Sequence, residues 1–336
     1  MKNSLKLSLM SLLVLTILIS PMVLYAQGNG ENSEDYQIAV VPKISGIPWF
    51  NRMKQGVQDA AEDFNVDAFQ QGPAQADPAQ QVQVVENLIA RDVDAIAVVP
   101  NDAQSLGPAF EDAREKGIKV LTHESPFFTE VQDYDIETIN NTTLAKKTMD
   151  QVAERTGGEG GYAMFVGSLT VPLHNYWADT AVEYAKEEYP GLELLTERLP
   201  VAESQEDSYR SAQDLIRTYG KELDAIIGWG SLGPIGAGQA VREKGLTDEI
   251  VVGGFAIPSQ AAPYLADGAI DWIQLWDPAD AGYAMVYVAK QMIEGKEIEE
   301  GMEIPGLGKI TKNGKTISVD SQLFITDPEK AEEMGF

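Results

Sequence analysis

From residue 38 to residue 294 the chain alternates two patterns. Short apolar runs rich in β-branched residues are followed, again and again, by longer runs with apolar residues at helical spacing. This alternation constrains the fold more than any other property of the sequence. Brief strands buried on both faces, each leading into a helix, specify a mostly parallel sheet covered by helices. Strands are predicted over 38–42, 66–70, 95–100 and 120–123, with helices over 51–64, 78–91 and 103–116. After residue 140 the series restarts. Helices are expected over 143–156, 204–219, 234–244, 260–268 and 279–294, a loop leading into a helix over 172–188, and strands over 162–166, 192–199, 225–228, 250–254 and 270–275. The repeat is one of architecture, giving two doubly wound parallel-sheet lobes. About 300 residues also exceed one comfortable core.

The predicted division gives residues 36–138 and 276–312 to an N-terminal lobe, and 139–275 and 313–330 to a C-terminal lobe. Three crossings would then form a multi-strand hinge. Ahead of the lobes, residues 1–26 read as a secretory signal peptide: Lys2 and Lys6, an apolar stretch, then Ala26 before a cut. Residues 27–35 read as a flexible leader. No cysteine is present, so there is no disulfide, no thiol nucleophile and no lipid-attachable thiol at the cut. That favours a protein free in a periplasm.

The chain has 25 basic and 52 acidic residues, a net charge of −27. Such a surface repels nucleic acid and anionic membranes. The acid groups are scattered through the helices and say little about a ligand.

Residues just beyond strand ends carry the functional signal, because ligands of open parallel sheets bind at the carboxyl edge. Lys43, Trp49 and Phe50 follow the first strand. The only two histidines are His123, at the end of the fourth strand, and His174, in the segment after strand 162–166. Trp229 and Trp276 follow two further strands, and Glu124 and Asp277 stand beside His123 and Trp276. Carboxylates accept hydrogen bonds from neighbouring hydroxyls, lysine donates to oxygen, and aromatic faces cover C–H faces. Together they suit a sugar or polyol. Each has a plainer use as well. Glu124 and Asp277 could cap helices or turns, Lys43 could pair with Glu124, His123 could be a hydrogen-bonded core residue, and Trp276 could pack a hinge. No nucleophile elbow, zinc-protease motif, P-loop or dinucleotide fingerprint is found, and no metal-ligand spacing. The expectation is a binding protein without cofactor, not an enzyme.

Several segments are similar to one family. They include Ala39-Val40-Val41-Pro42-Lys43, Gly72-Pro73, Gln80-Gln81-Val82-Gln83, Asp94-Ala95-Ile96-Ala97-Val98, Val120-Leu121-Thr122, Leu223-Asp224-Ala225-Ile226-Ile227 and Leu275-Trp276-Asp277. With these the chain resembles, over nearly its whole mature length, the type I periplasmic binding proteins of ABC sugar transporters, leaning to the autoinducer-2-binding and rhamnose-binding branch. The resemblance implies ligand contacts from Lys43, from Glu124 in place of an aspartate, and from Asp277. An Asp-Gln pair of the autoinducer-2 proteins is Leu173-His174 here, ahead of Asn175-Tyr176-Trp177. Their proline and nearby alanine correspond to Trp229 and Ser231. Trp49-Phe50 matches the paired phenylalanines of ribose-binding proteins, whereas Ser125 and Ala256 replace an arginine and an aspartate of that group. These departures argue for a sugar or polyol other than autoinducer-2 or ribose. The resemblance further implies a monomer whose lobes close on the ligand and dock on a membrane permease. The alternative is a receptor that reads autoinducer-2 or a sugar as a signal. A transcription regulator of this fold would need a basic helix-turn-helix segment.

Overall fold

A computed structural model describes residues 36–128, 130–319 and 321–336. The predicted signal peptide and leader lie outside the described residues.

The first half begins β1 (Gln37–Val41), α1 (Pro48–Phe64), β2 (Asp67–Gln70), α2 (Pro78–Ala90), β3 (Ala95–Val98), α3 (Ala103–Glu115), β4 (Lys119–His123) and β5 (Tyr134–Glu137). The second half runs α4 (Asn141–Thr156), β6 (Glu159–Val166), α5 (Pro172–Glu188), β7 (Gly191–Leu194), β8 (Leu199–Pro200), α6 (Gln205–Tyr219), β9 (Leu223–Gly228), α7 (Gly233–Lys244), β10 (Val251–Phe255), α8 (Pro258–Ala266) and β11 (Trp272–Leu275). Then follow α9 (Pro278–Ile293), β12 (Glu303–Ile304), β13 (Gly308–Lys309), β14 (Thr311–Asn313), β15 (Thr316–Ser318), β16 (Leu323–Ile325) and α10 (Pro328–Glu333).

The N-terminal sheet has the order β14-β15-β5-β4-β3-β1-β2, and the C-terminal sheet β16-β11-β10-β9-β6-β7, with β8 also on β6. All pairings among β1 to β5 and among β6 to β11 are parallel. Both sheets are therefore doubly wound, with helices on both faces. Period-two burial shows directly in the first lobe. Ile38, Val40, Ala95 and Ala97 join one core, while Ala39, Val41, Ile96 and Val98 join the core on the opposite face.

Helix starts follow local chemistry. Asp77, Asp102, Asn140 and Ser204 each accept the backbone N–H three residues on. α1 has no side-chain cap and starts with Pro48, whose missing N–H needs none. α9 returns to the first lobe and lies close against α1. A Cβ on Gly56 would stand 1.9 Å from the Ala279 carbonyl oxygen, and one on Gly282 would stand 2.4 Å from the Met53 oxygen. Only glycine at these two positions lets the helix backbones meet.

Three connections cross between lobes: β5 to α4, β11 to α9, and β15 to β16. The structure differs from the sequence reading in three places. Residues 134–137, expected only as a crossing, form β5, a strand of the N-terminal sheet. The hairpin β14–β15 pairs onto β5, so the third crossing comes after Ser318 and not after residue 312. The run 192–199 is not one strand: β7 and β8 pair with different parts of β6. The intervening Leu195-Thr196-Glu197-Arg198 is mostly polar and charged, which marks the break in the sequence itself.

Candidate functional site

Both sheets turn their carboxyl edges toward one cleft, and a small cavity lies within it, with about 20 Å³ of free space, room for roughly one water molecule. The first lobe supplies Lys43, Trp49, Phe50 and Glu124. The second supplies His174, Trp177, Glu203, Trp229, Gly230, Ser231 and Phe255, and Trp276 stands at the crossing between them.

Lys43 is fixed by the backbone beneath it. Its carbonyl accepts from Asn101 Nδ2 at 2.7 Å, and Asn101 N–H donates to Gln81 Oε1 at 2.8 Å. Gln81 Nε2 donates in turn to the carbonyls of Pro42 and Val99, at 3.1 and 2.8 Å. A single buried amide thereby ties the loop after β1 to the loop after β3. Glu124 is presented differently. Its backbone is left-handed, φ 61°, a conformation costly for a residue with a side chain. Asp135 on β5 holds that turn by accepting from Thr122 Oγ1 at 2.5 Å and Ser125 N–H at 3.1 Å.

Lys43 Nζ bridges the lobes. It lies 2.5 Å from Glu124 Oε2, 2.9 Å from His174 Nε2 and 3.8 Å from Glu203 Oε1. His174, in the first turn of α5, accepts from Gly167 N–H at Nδ1 over 3.0 Å. Burial first, and then the Lys43 charge, hold its imidazole well below the ordinary 6.5, so it is neutral. Burial pushes the Glu203 carboxyl up; Lys43 opposes this and Glu124 adds to it.

The remaining walls are aromatic. Trp177 stacks on Phe255 at 4.7 Å and on the His174 ring at 5.6 Å. Trp276 meets Trp49 and Phe255 edge-on at 5.1 and 5.2 Å. Trp177 Nε1 donates to Asn141 Oδ1. The Nε1 groups of Trp229 and Trp276 are buried with no hydrogen-bond partner, and each belongs to a residue lining the cavity.

Of the residues expected at the site, Lys43, Trp49, Phe50, Glu124, His174, Trp229, Ser231 and Trp276 line this cavity. Three do not. His123 lies behind it: Nδ1 donates to the Ile136 carbonyl over 2.6 Å, and the ring supports Trp276 from outside at 5.6 Å. Asn175 faces its own helix start, donating to the carbonyls of Ser168 and Val171 and accepting from Arg198. Asp277 is corrected more sharply. Its carboxylate takes the Arg52 guanidinium in a two-pronged pair, at 2.8 and 2.5 Å, and caps α9 at Ala279 N–H. It is not among the residues that line the cavity.

Trp177, Glu203, Phe255 and Gly230 were not singled out from sequence. The strand-end rule covers the last three. Phe255 closes β10, Gly230 follows β9, and Glu203 follows β8 just before the helix cap Ser204. Trp177 sits one helical turn past His174 and carried no such mark.

Two doubly wound lobes closed over a buried polar and aromatic cavity define a two-lobed solute-binding protein. Residues 38–297 match the periplasmic binding protein domain, and the chain belongs to that family. A xylitol-binding protein of Mycolicibacterium smegmatis is 26% identical over 200 residues, 60% of this chain and 56% of that protein's length. A putative rhizopine-binding protein of Rhizobium meliloti is 24% identical over 75% of this chain and 83% of its own. Among solved structures, an L-rhamnose-bound solute-binding protein of an ABC transporter from Clostridium phytofermentas superposes with a TM-score of 0.82 at 22% identity, covering 89% of this chain and 97% of that one. LsrB from Clostridium saccharobutylicum, in complex with AI-2, gives 0.81 at 21%, covering 88% and 99%. These likenesses show the fold.

Proposed function

We propose that this protein is the periplasmic solute-binding component of an ABC importer, capturing a monosaccharide or related polyol between its lobes and presenting it to a membrane permease. The observation that carries the reading is the pair of orphan indole N–H groups, from Trp229 and Trp276, in a cavity that also holds Lys43 and Glu124. Buried donors without partners call for acceptor oxygens. The surrounding rings offer flat apolar faces to C–H groups. A polyhydroxylated ring or chain supplies both.

The lobes meet through the contacts that build the site. Lys43 reaches His174, Trp49 meets Phe255 edge-on at 6.1 Å, and Thr170 Oγ1 donates to the Asn101 carbonyl across the cleft at 3.0 Å. Ligand and closure are thereby linked, since each lobe alone carries only part of the contacts. Arg52 and Asp277 join α1 to the β11–α9 crossing, so Asp277 acts on closure and not on the ligand directly. Export by residues 1–26, a monomeric state and a permease partner belong to the same proposal.

A thermal-shift screen tests it, run against pentoses, hexoses, deoxyhexoses, alditols and autoinducer-2. Native-state binding raises the transition by mass action, about 2.7 kcal/mol at a hundredfold excess over Kd. One sugar or alditol standing well above the others supports the proposal. A shift with autoinducer-2 alone turns the reading to signal reception, and silence across the panel removes it.

A further inference from the structure

The charges around the cavity do not balance. Lys43, Glu124, His174 and Glu203 line it, and His123 stands behind, its Nε2 3.8 Å from Glu124 Oε1. Lys43 is matched by Glu124 at 2.5 Å. Glu203 approaches Lys43 no closer than 3.8 Å and the neutral His174 no closer than 4.0 Å. Among the described residues that line the cavity, one cation therefore faces two carboxylates, in a space where both acid side chains are more than nine-tenths buried. A carboxylate withdrawn from water without a full partner is costly, and it must take up either a proton or a cation.

The walls favour the cation. Trp49, Trp177, Trp229, Phe255 and Trp276 surround the same space, and aromatic faces attract a positive charge that has lost its water. The two orphan indole N–H groups ask at the same time for hydroxyl oxygens. Resting on the sugar or polyol reading above, we infer that the ligand is an amino-substituted polyol, a sugar, alditol or cyclitol carrying one protonated amine, and that Glu203 is the residue selecting that amine.

The test compares matched probes differing by one group: D-glucosamine against D-glucose, D-glucamine against D-glucitol, and 1-amino-1-deoxyxylitol against xylitol. Each is titrated by calorimetry into the protein and into its Glu203→Gln variant. In at least one pair the amine should bind roughly 30-fold or more tightly, the scale of a buried charge pair. Glu203→Gln should erase that preference and leave the neutral member within a few-fold. The pH dependence should separate the pair as well. As pH falls and Glu203 takes a proton, affinity for the amine drops while affinity for the neutral probe does not. Equal or tighter binding of the neutral member in every pair, or a preference that survives Glu203→Gln in a folded variant, overturns the inference and leaves the polyol reading standing. Absence of binding by every probe overturns the inference, and the thermal-shift panel then decides the polyol reading separately.

Discussion

The two walls of the cleft reach the same rigidity by different means. In the N-terminal lobe, the chemistry is presented by hydrogen bonds to backbone. Gln81 and Asn101 clasp the loop that carries Lys43, and Asp135 holds the strained turn of Glu124. In the C-terminal lobe, rings hold rings. Trp177 packs on Phe255 and His174 and reaches Trp229 at 6.0 Å, with a single hydrogen bond to Asn141. Hydrogen bonds fix direction and fail one atom at a time. Stacked rings fix volume and fail together. The first wall therefore suits orienting a polar group, and the second suits excluding water from it.

That contrast breaks most visibly at Trp177. Truncation to alanine removes the ring on which Phe255 and His174 both rest, and cavity formation of this kind costs about 3–5 kcal/mol. Urea unfolding of Trp177→Ala should show that loss, with ligand affinity falling as the wall collapses. A variant that unfolds like the parent would mean that the remaining rings carry the wall without it.

Gln81→Leu is the counterpart in the first lobe. It keeps the bulk but strands the carbonyls of Pro42 and Val99 and the N–H of Asn101. One unsatisfied buried group costs roughly 1–3 kcal/mol. Part should appear as stability and part as affinity, because the Lys43 loop loses its tie. If affinity is unchanged while stability falls, the clasp is structural and does not position Lys43.

The same contrast decides what could be read from sequence. The sheets were legible because burial on both faces leaves short β-branched runs, and the carboxyl-edge rule then found Lys43, Glu124, Trp229 and Trp276. Where the rule misled, a local competitor had claimed the side chain. Asp277 precedes Pro278 and is a helix cap, and its partner Arg52 lies 225 residues away in the chain. His123 and Glu124 are neighbours, so only one of them can face the cleft. Glu203 follows the predicted strand 192–199 but stands just before the helix cap Ser204 and reads equally as part of that turn, and Trp177 is hidden by its place within a helix. Ring-on-ring walls are assembled from distant segments, and nothing in the local pattern announces them.

Protonation sets the two walls apart with opposite signs. In the first lobe, burial raises both Asp135 and Glu137; Asp135 adds to the rise of Glu137, whereas the hydrogen bond with Glu137 opposes that of Asp135. For Glu137, native chains keep a proton that unfolded chains release above the ordinary 4.5, so stability falls as pH rises through that window. Glu137→Gln keeps an acceptor for Asn141 and removes the charge. Its transition temperature should exceed the parent's at pH 8, with the gap closing toward pH 4.5. In the second lobe His174 is held neutral, so below 6.5 the unfolded chain binds a proton the native one does not, and stability falls as pH drops. His174→Asn keeps an acceptor for Gly167 and should flatten that acid limb. Variants whose difference from the parent does not change with pH would remove both assignments.

The smallest effect expected is at a hydrogen bond that belongs to neither wall. Thr170 Oγ1, after β6, donates to the Asn101 carbonyl after β3, and so ties the second lobe to the residue that clasps Lys43 in the first. That bond spans the cleft, and separating the lobes would break it. Thr170→Val keeps the shape and deletes the donor, and a net loss of about 0.5–1.5 kcal/mol corresponds to roughly two- to tenfold weaker ligand binding. Because neither lobe uses the bond internally, unfolding of the ligand-free protein should move little. Calorimetry and denaturation on the same variant separate the cases. Weaker binding with an unchanged unfolding curve places Thr170 in closure. An equal loss in both places it in the fold, and the lobes would then be coupled more tightly than their separate sheets imply.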